Sequence, residues 1–189
     1  ATPEAAWIFN VDSGPSKWYF FETSDVAAGK FREGSSANNG GLGEYNIASG
    51  QRVQAIDDTS ITWGNGQGAN GSGGSNYAIL WASYPDIVKV GKFTFSYPSS
   101  PQTVDCGFSN GARMVIIKRI NGGGNFDSWF VWDSVRGITT NADNFLRFDT
   151  SAAQTTDGNN IEPHSSGFKI DNSGLNLAAG TQCYFIAFA

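Results

Sequence analysis

The chain has 189 residues, of which 40% are hydrophobic and only 15% charged, and its formal net charge is -5. An aromatic content of 14% with so little charge excludes a disordered, solvating chain, and twelve Lys+Arg scattered without a run leave no basic face for phosphate. No apolar run approaches the roughly 20 residues that span a bilayer, and no charged segment leads into an apolar one at the first six residues, so no signal peptide is read. The absence of an initiating Met leaves room for an upstream portion.

Taken in chain order, apolar runs of period two predict strands at 6–11, 17–22, 52–56, 60–63, 77–82, 88–97, 113–120, 128–133, 144–148, 167–170 and 182–189. They are short, rich in Val, Ile, Phe, Tyr and Trp, and bounded by Gly, Asn, Ser or Pro, as strands of a sandwich or barrel are. Segments 10–16 and 121–124 read as hairpin loops, and 34–50 and 64–75 as long polar loops. Spacings of three and four are missing, so at most one helical turn is expected, near 149–154. The expected fold is all-β, sandwich-like or jelly-roll-like.

An internal repeat divides this pattern. NYAILWA at 76–82 matches CYFIAFA at 183–189, an offset of 107 that also pairs Ile61 with Phe168, Trp63 with Ile170, Asn65 with Asn172 and Gly73 with Gly180. WYFFET at 18–23 matches WFVWDS at 129–134, an offset of 111 that sets Trp18 on Trp129 and Glu22 on Asp133. AAWIF at 5–9 parallels RMVII at 113–117. Two related β-rich halves follow: 1–83 as a partial repeat and 84–189 as a complete one. The second has a leading piece, 90–108, for which the first has no counterpart. An incomplete β unit leaves an unpaired edge. The missing strand then lies in an upstream region or comes from a neighbouring chain by strand addition.

Reactive chemistry finds little purchase. Gly66-Gln67-Gly68-Ala69-Asn70-Gly71 fits a dinucleotide fingerprint, but the segment leads into a strand and no helix can receive a pyrophosphate there. His164 is the only histidine, in a turn, which argues against a metal cluster and a His-based mechanism with Cys106. Cys106 and Cys183 read as small buried residues, with a disulfide left open. Asp57 and Asp58 would point to opposite faces of a strand, and Glu22, Asp133 and Glu162 are too scattered to name as a glycosidase pair. The stretches 157–160 and 171–174 are too short for a calcium loop. Tryptophans could stack on sugars, yet most lie inside strands. In WFVWDS, Trp129 and Val131 share one face and Phe130 and Trp132 the other, so burial on both sides is expected.

The order ARMVIIKR, WFVWDSVRG, FLRFDTSAAQ, SSGFKI and CYFIAFA resembles a repeat of virion surface proteins of tailed phages, notably marine and cyanobacterial ones. Lys118-Arg119, Asp133-Ser134-Val135-Arg136-Gly137, 146–153, Gly167-Phe168 and 184–189 carry the likeness. It covers about 75 residues well and the first half only in skeleton, where Thr23-Ser24-Asp25 replaces the Arg-Gly ending. The resemblance implies a non-enzymatic, cofactor-free structural module on the outside of a phage particle, in a tail fibre or tail appendage, with a host-attachment role. Trp18, Trp129, Asp133, Arg136 and Gly167 would be structural motif residues. Trp63, Asn65 and Asn70 would offer loop contacts to a host glycan. Partners would be further copies of the chain and other virion proteins, with no nucleic acid and no membrane. A head-stabilising capsid decoration protein and a carbohydrate-binding receptor module are the alternatives.

Overall fold

A computed structural model describes residues 1–10, 17–35, 41–48, 52–64, 75–96, 101–120, 128–140, 143–156, 158–171 and 177–189. It divides into two units: residues up to Ser83, except those around position 40, form the first, and Tyr84–Ala189 the second.

In the first unit the chain runs through β1 (Ala5–Asn10), β2 (Lys17–Phe20), α1 (Thr23–Ala27), β3 (Lys30–Ser35), β4 (Gly43–Asn46), β5 (Val53–Ile56), β6 (Ile61–Trp63) and β7 (Asn76–Trp81). Five strands make one antiparallel sheet in the order β4-β3-β2-β1-β7, and β5 and β6 pair as a separate ribbon. Alternation puts Ala6, Ile8, Tyr19 and Phe31 on one face of the sheet. There they pack with Val53, Ile56, Ile61 and Trp63 of the ribbon, giving a two-layer core. The opposite face carries three stacked indoles. Trp7 and Trp18 lie 4.7 Å apart at 12°, and Trp18 and Trp81 5.6 Å apart at 7°.

The second unit comprises β8 (Val88–Thr94), β9 (Gln102–Asp105), β10 (Met114–Arg119), β11 (Phe130–Asp133), β12 (Asn144–Arg147), β13 (Thr155–Thr156), β14 (Ile161–His164), β15 (Gly167–Ile170) and β16 (Gln182–Phe188). Its large sheet runs β13-β12-β11-β10-β16-β8 and its small one β14-β15-β9. Val115, Ile117, Phe130, Trp132 and Phe185 of the large sheet meet Val104, Ile161, Phe168 and Ile170 of the small one in a single core. Cys106 and Cys183 sit in that core as free thiols.

The fold is all-β and sandwich-like, and each of the eleven predicted strands has its counterpart. Five strands and the helix were hidden in the sequence. Segment 34–50 reads as loop in the sequence, yet β3 ends and β4 lies within it; the charges of Lys30, Arg32 and Glu33 conceal the single core residue Phe31. The supposed turn at His164 is β14, an edge strand that can hold Pro163. No helix occupies 149–154. The one helix among the described residues is α1, whose cap is Glu22 accepting from the Ser24 N–H at 3.1 Å. The tips of the expected hairpins at 11–16 and 121–127 lie outside the described residues, although their arms pair as antiparallel neighbours.

Candidate functional site

The two units share one plan. Read in order, β4-β3-β2-β1-β7 corresponds to β13-β12-β11-β10-β16, and the ribbon β5-β6 to β14-β15. A hydrogen-bond signature fixes the register. Glu4 N–H donates to Trp81 O at 2.8 Å while Glu4 O accepts from Phe21 N–H at 2.7 Å. In the second unit Arg113 N–H donates to Phe188 O at 2.7 Å and Arg113 O accepts from Ser134 N–H at 2.7 Å. Trp81 therefore answers to Phe188, which keeps the offset of 107. The other two matches shift. Ala5 answers to Met114, one residue beyond the expected pairing, and Trp18 answers to Val131 rather than Trp129, so Glu22 and Asp133 are not equivalent. A slip of two keeps each side chain on its face, which is why the aromatic likeness survived it.

Among the described residues, two strands of the second unit have no counterpart in the first. β8 pairs along the outer edge of β16 over seven residues, from Gln182 opposite Thr94 to Phe188 opposite Val88. β9 pairs along β15. In the first unit β7 and β6 end their sheets. The consequence is visible in burial. Tyr184, Ile186 and Ala187 of β16 are wholly buried, whereas Tyr77, Ile79 and Leu80 of β7 are 69%, 46% and 49% exposed. Leu80 is the telling residue: it shares the core-side face with Ala6, its partner across the ladder, yet half of it meets water. Because Trp81 O faces β1, the backbone groups of Tyr77, Ile79 and Trp81 turn inward and those of Ala78 and Leu80 turn to the open edge. This edge is the candidate site. Beside its end lies a cleft of about 470 Å³ lined by Ala1, Glu4, Phe21, Val26 and Ser83, among others. Glu4 is its one carboxylate and accepts from the Ser83 N–H at 2.5 Å.

The motif residues expected from sequence are placed elsewhere, in the framework. Trp18 and Trp129 are fully buried, each on the face away from its unit's two-layer core. The strand through Trp129, Phe130, Val131 and Trp132 is buried on both faces, as its alternation required. Lys118, also fully buried, holds its ammonium 5.2 Å from the centre of the Trp129 ring. Asp133 organises the turn after β11. Its Oδ1 accepts from the N–H of Val135 at 3.0 Å and of Arg136 at 2.9 Å, and its Oδ2 from Arg136 Nε at 2.6 Å. Burial raises this carboxyl, but the Arg136 guanidinium and the two backbone donors outweigh it and hold Asp133 below the ordinary range. Gly137 follows because a Cβ there would lie 2.0 Å from Asn144 O. Since the Arg136 side chain is 41% exposed, Arg136→Ala should cost at most about 1 kcal/mol. Asp133→Ala strips the turn of its backbone acceptor and should cost about 1–2 kcal/mol. Urea melts of both variants check the order; equal costs would count against the turn-organising role of Asp133.

Trp63 is corrected outright. It lies on β6, half-buried, with its ring edge-on to Tyr19 at 4.9 Å, so it belongs to the core rather than to a loop surface. Asn65 and Asn70, with the glycine fingerprint around them, lie outside the described residues, as do Asp157 and 172–174 of the calcium-like stretches. Asp57 and Asp58 stand in the β5–β6 turn and not in a strand. Asp57 accepts from the N–H and hydroxyl groups of Thr59 and Ser60, which draw it down to about 2. His164 Nδ1 lies 3.2 Å from the Ser166 hydroxyl across the β14–β15 tip. Burial pushes the Cys106 thiol up to about 12, far from a nucleophilic thiolate. Among the described residues, no three of His, Cys, Asp and Glu gather as metal ligands.

One carboxylate titrates the other way. Asp143 is fully buried, its Oδ2 accepts from the N–H groups of Asn160 and, at 2.6 Å, Ile161, and burial raises it to about 6. Between the unfolded value of 3.8 and the folded value of about 6, the folded chain holds a proton that the unfolded chain has released. Asp143 therefore stabilises the fold fully below about 4 and loses that contribution as pH rises through 6. Asp57, Asp105, Asp133 and Glu44 are held low and have the opposite sense, losing their contributions as pH falls. Asp143→Asn keeps an acceptor for both N–H groups. Near neutral pH it should raise stability by about 1 kcal/mol, and near pH 4 by nothing, as urea melts at both values would show.

The chain belongs to the family described as Domain of unknown function (DUF7483). That family's model matches residues 9–189, all of the second unit and the first from the end of β1 onward. No curated protein and no solved structure matches the chain.

Proposed function

We propose that the chain is a non-enzymatic structural module of a phage particle's exterior, in a tail fibre or tail appendage, assembled in several copies and placed to meet the host surface. The phage assignment rests on the likeness of the Arg113–Ala189 half to virion repeats. The observation that carries the structural role is the uncharged strand β7, which among the described residues is an outer strand where the second unit has a paired one. An exposed strand edge costs solubility unless an assembly uses it. The groups that could have served catalysis have other duties: Asp133 holds a turn, His164 braces a hairpin tip, and Cys106 is shut in the core. The carbohydrate-receptor alternative keeps fewer tryptophans, since Trp18, Trp129 and Trp132 are buried and Trp63 packs against the core, while Trp81 stays partly exposed. Immunogold labelling of gradient-purified particles tests the reading. Label on the outside of the particle is expected, at the tail for an appendage and over the head for a decoration protein. Particles devoid of the chain would overturn it.

A further inference from the structure

We infer that β7 pairs with β7 of a second copy of this chain, antiparallel about a two-fold axis at Ile79, so that two five-stranded sheets become one of ten. The inference deepens the proposed structural role and rests on it for its biological setting, but its physical basis is separate.

The other open edges among the described strands carry a device against pairing. Glu44 on β4 is tied to Lys30 and Arg32. The β5–β6 ribbon has an irregular register between Val53 and Ala55, and β6 has three residues. β8 bears Lys89 and Lys92, β9 ends in Asp105, β13 has two residues, and β14 contains Glu162 and Pro163. β7, Asn-Tyr-Ala-Ile-Leu-Trp, has neither a charge nor a proline and keeps regular register with β1 along all six residues. For a chain of net charge -5 this matters, because a second copy meets it there without like charges opposed.

Symmetry and side-chain size then fit. Only an even register sum keeps the core faces of the two sheets on the same side. Placing Ile79 opposite Ile79 of the second copy sets Ala78 against Leu80 and Tyr77 against Trp81. Ala78 and Leu80 are the residues whose backbone groups face outward, so they meet as a hydrogen-bonded pair. The second unit supplies the template. There Ile186, the equivalent of Ile79, stands opposite Val90, and Phe185, the equivalent of Ala78, stands opposite Gly91. Gly91 must be small, since a Cβ would come 2.9 Å from the Phe185 ring. In the first unit the large partner is replaced by Ala78, and the small one by Leu80 of the second copy. Each position opposite Ala78 therefore has room for the leucine that is otherwise half exposed.

Sedimentation of the 189-residue chain from about 1 to about 100 µM tests this, with a doubling of mass expected. Ile79→Lys should restore the monomer, and at the lowest concentration, where the wild-type chain is monomeric too, should leave the melting temperature nearly unchanged, because Ile79 is 46% exposed in the single chain. Register is read by cysteine pairing, as Cys106 and Cys183 are buried and give little background. At a non-hydrogen-bonded pair the Cα atoms lie about 4.5 Å apart, within disulfide range, so Ile79→Cys should oxidise to a covalent dimer. Tyr77→Cys should not, since its copies stand about 13 Å apart. A wild-type monomer throughout, a dimer indifferent to Ile79→Lys, or equal cross-linking from both cysteine variants would each overturn the pairing. None of these results bears on whether the chain is found on particles, so the structural reading stands or falls by the labelling experiment.

Discussion

Replacing Gly167 by alanine should destabilise the second unit by about 3–4 kcal/mol. Gly167 opens β15 between His164 of β14 and Asp105 of β9. A Cβ at this position would come 2.2 Å from Val104 O and 2.9 Å from Cys106 N. Both are backbone atoms of β9 or the residue after it, so no rotamer change relieves the overlap. β9 must move outward. That weakens the ladder that sets Phe168 opposite Val104 and the bond from Cys106 N–H to Ser166 O at 2.8 Å, and each lost bond costs about 1 kcal/mol. Gly180→Ala is the control. Gly180 has a φ of +84° with nothing within 4 Å of the added carbon, so only backbone strain of about 1 kcal/mol is expected. Urea denaturation of the two variants reads the difference directly. Equal costs would mean that β9 is not seated against Gly167 as described.

Truncating Trp132 should cost about 3–5 kcal/mol, a large part of the 5–15 kcal/mol typical of a domain. Its ring is wholly buried, stacked on Phe130 at 5.6 Å and 17° and tilted against Phe145 at 5.7 Å. Alanine leaves a cavity between two strands held in sheet register, which cannot close over it. Trp132→Phe retains most of the ring contacts and should cost about 1–2 kcal/mol. Val135→Ala, at a position 90% exposed, should fall within about 0.5 kcal/mol. Thermal or urea melts that ranked Val135→Ala with Trp132→Ala would refute the placement of this core.

How much of this was legible in the sequence follows from what each strand must bury. β10, β11 and β16 are apolar on both faces, so their runs stood out from the turns around them. β3 offers the core only Phe31 between Lys30 and Arg32, and those two charges are satisfied across the sheet by Glu44. A strand whose polar face is neutralised by a distant partner has no local signature. β9 contributes Val104 alone, and β14 contributes Ile161 before a proline. The repeat was readable because Trp, Phe and Tyr recur at matching faces, but its register was not. A slip of two residues changes no face, and only the bonds around Glu4 and Arg113 distinguish Trp18–Val131 from Trp18–Trp129 as the equivalent pair. The open edge could be foreseen from the leading piece present in one half and absent from the other. Its exposure could not, because which side chains of β7 stay uncovered is set by the fold and not by the local pattern. Trp63 misled for the opposite reason: it adjoins a glycine-rich segment, yet its ring faces inward on Tyr19.

Everything turns on the first unit being the second without β8 and β9, and amide exchange resolved residue by residue tests that most directly. In an Ile79→Lys chain, where pairing between copies is blocked, the amides of Ala78 and Leu80 should exchange freely, while those of Tyr77, Ile79 and Trp81 stay protected by β1. Along β16, neighbours on both sides should protect Cys183, Tyr184, Phe185, Ile186 and Ala187 alike. Continuous protection through Ala78 and Leu80 in that variant would mean that β7 is already covered, and the account of an open edge would be wrong.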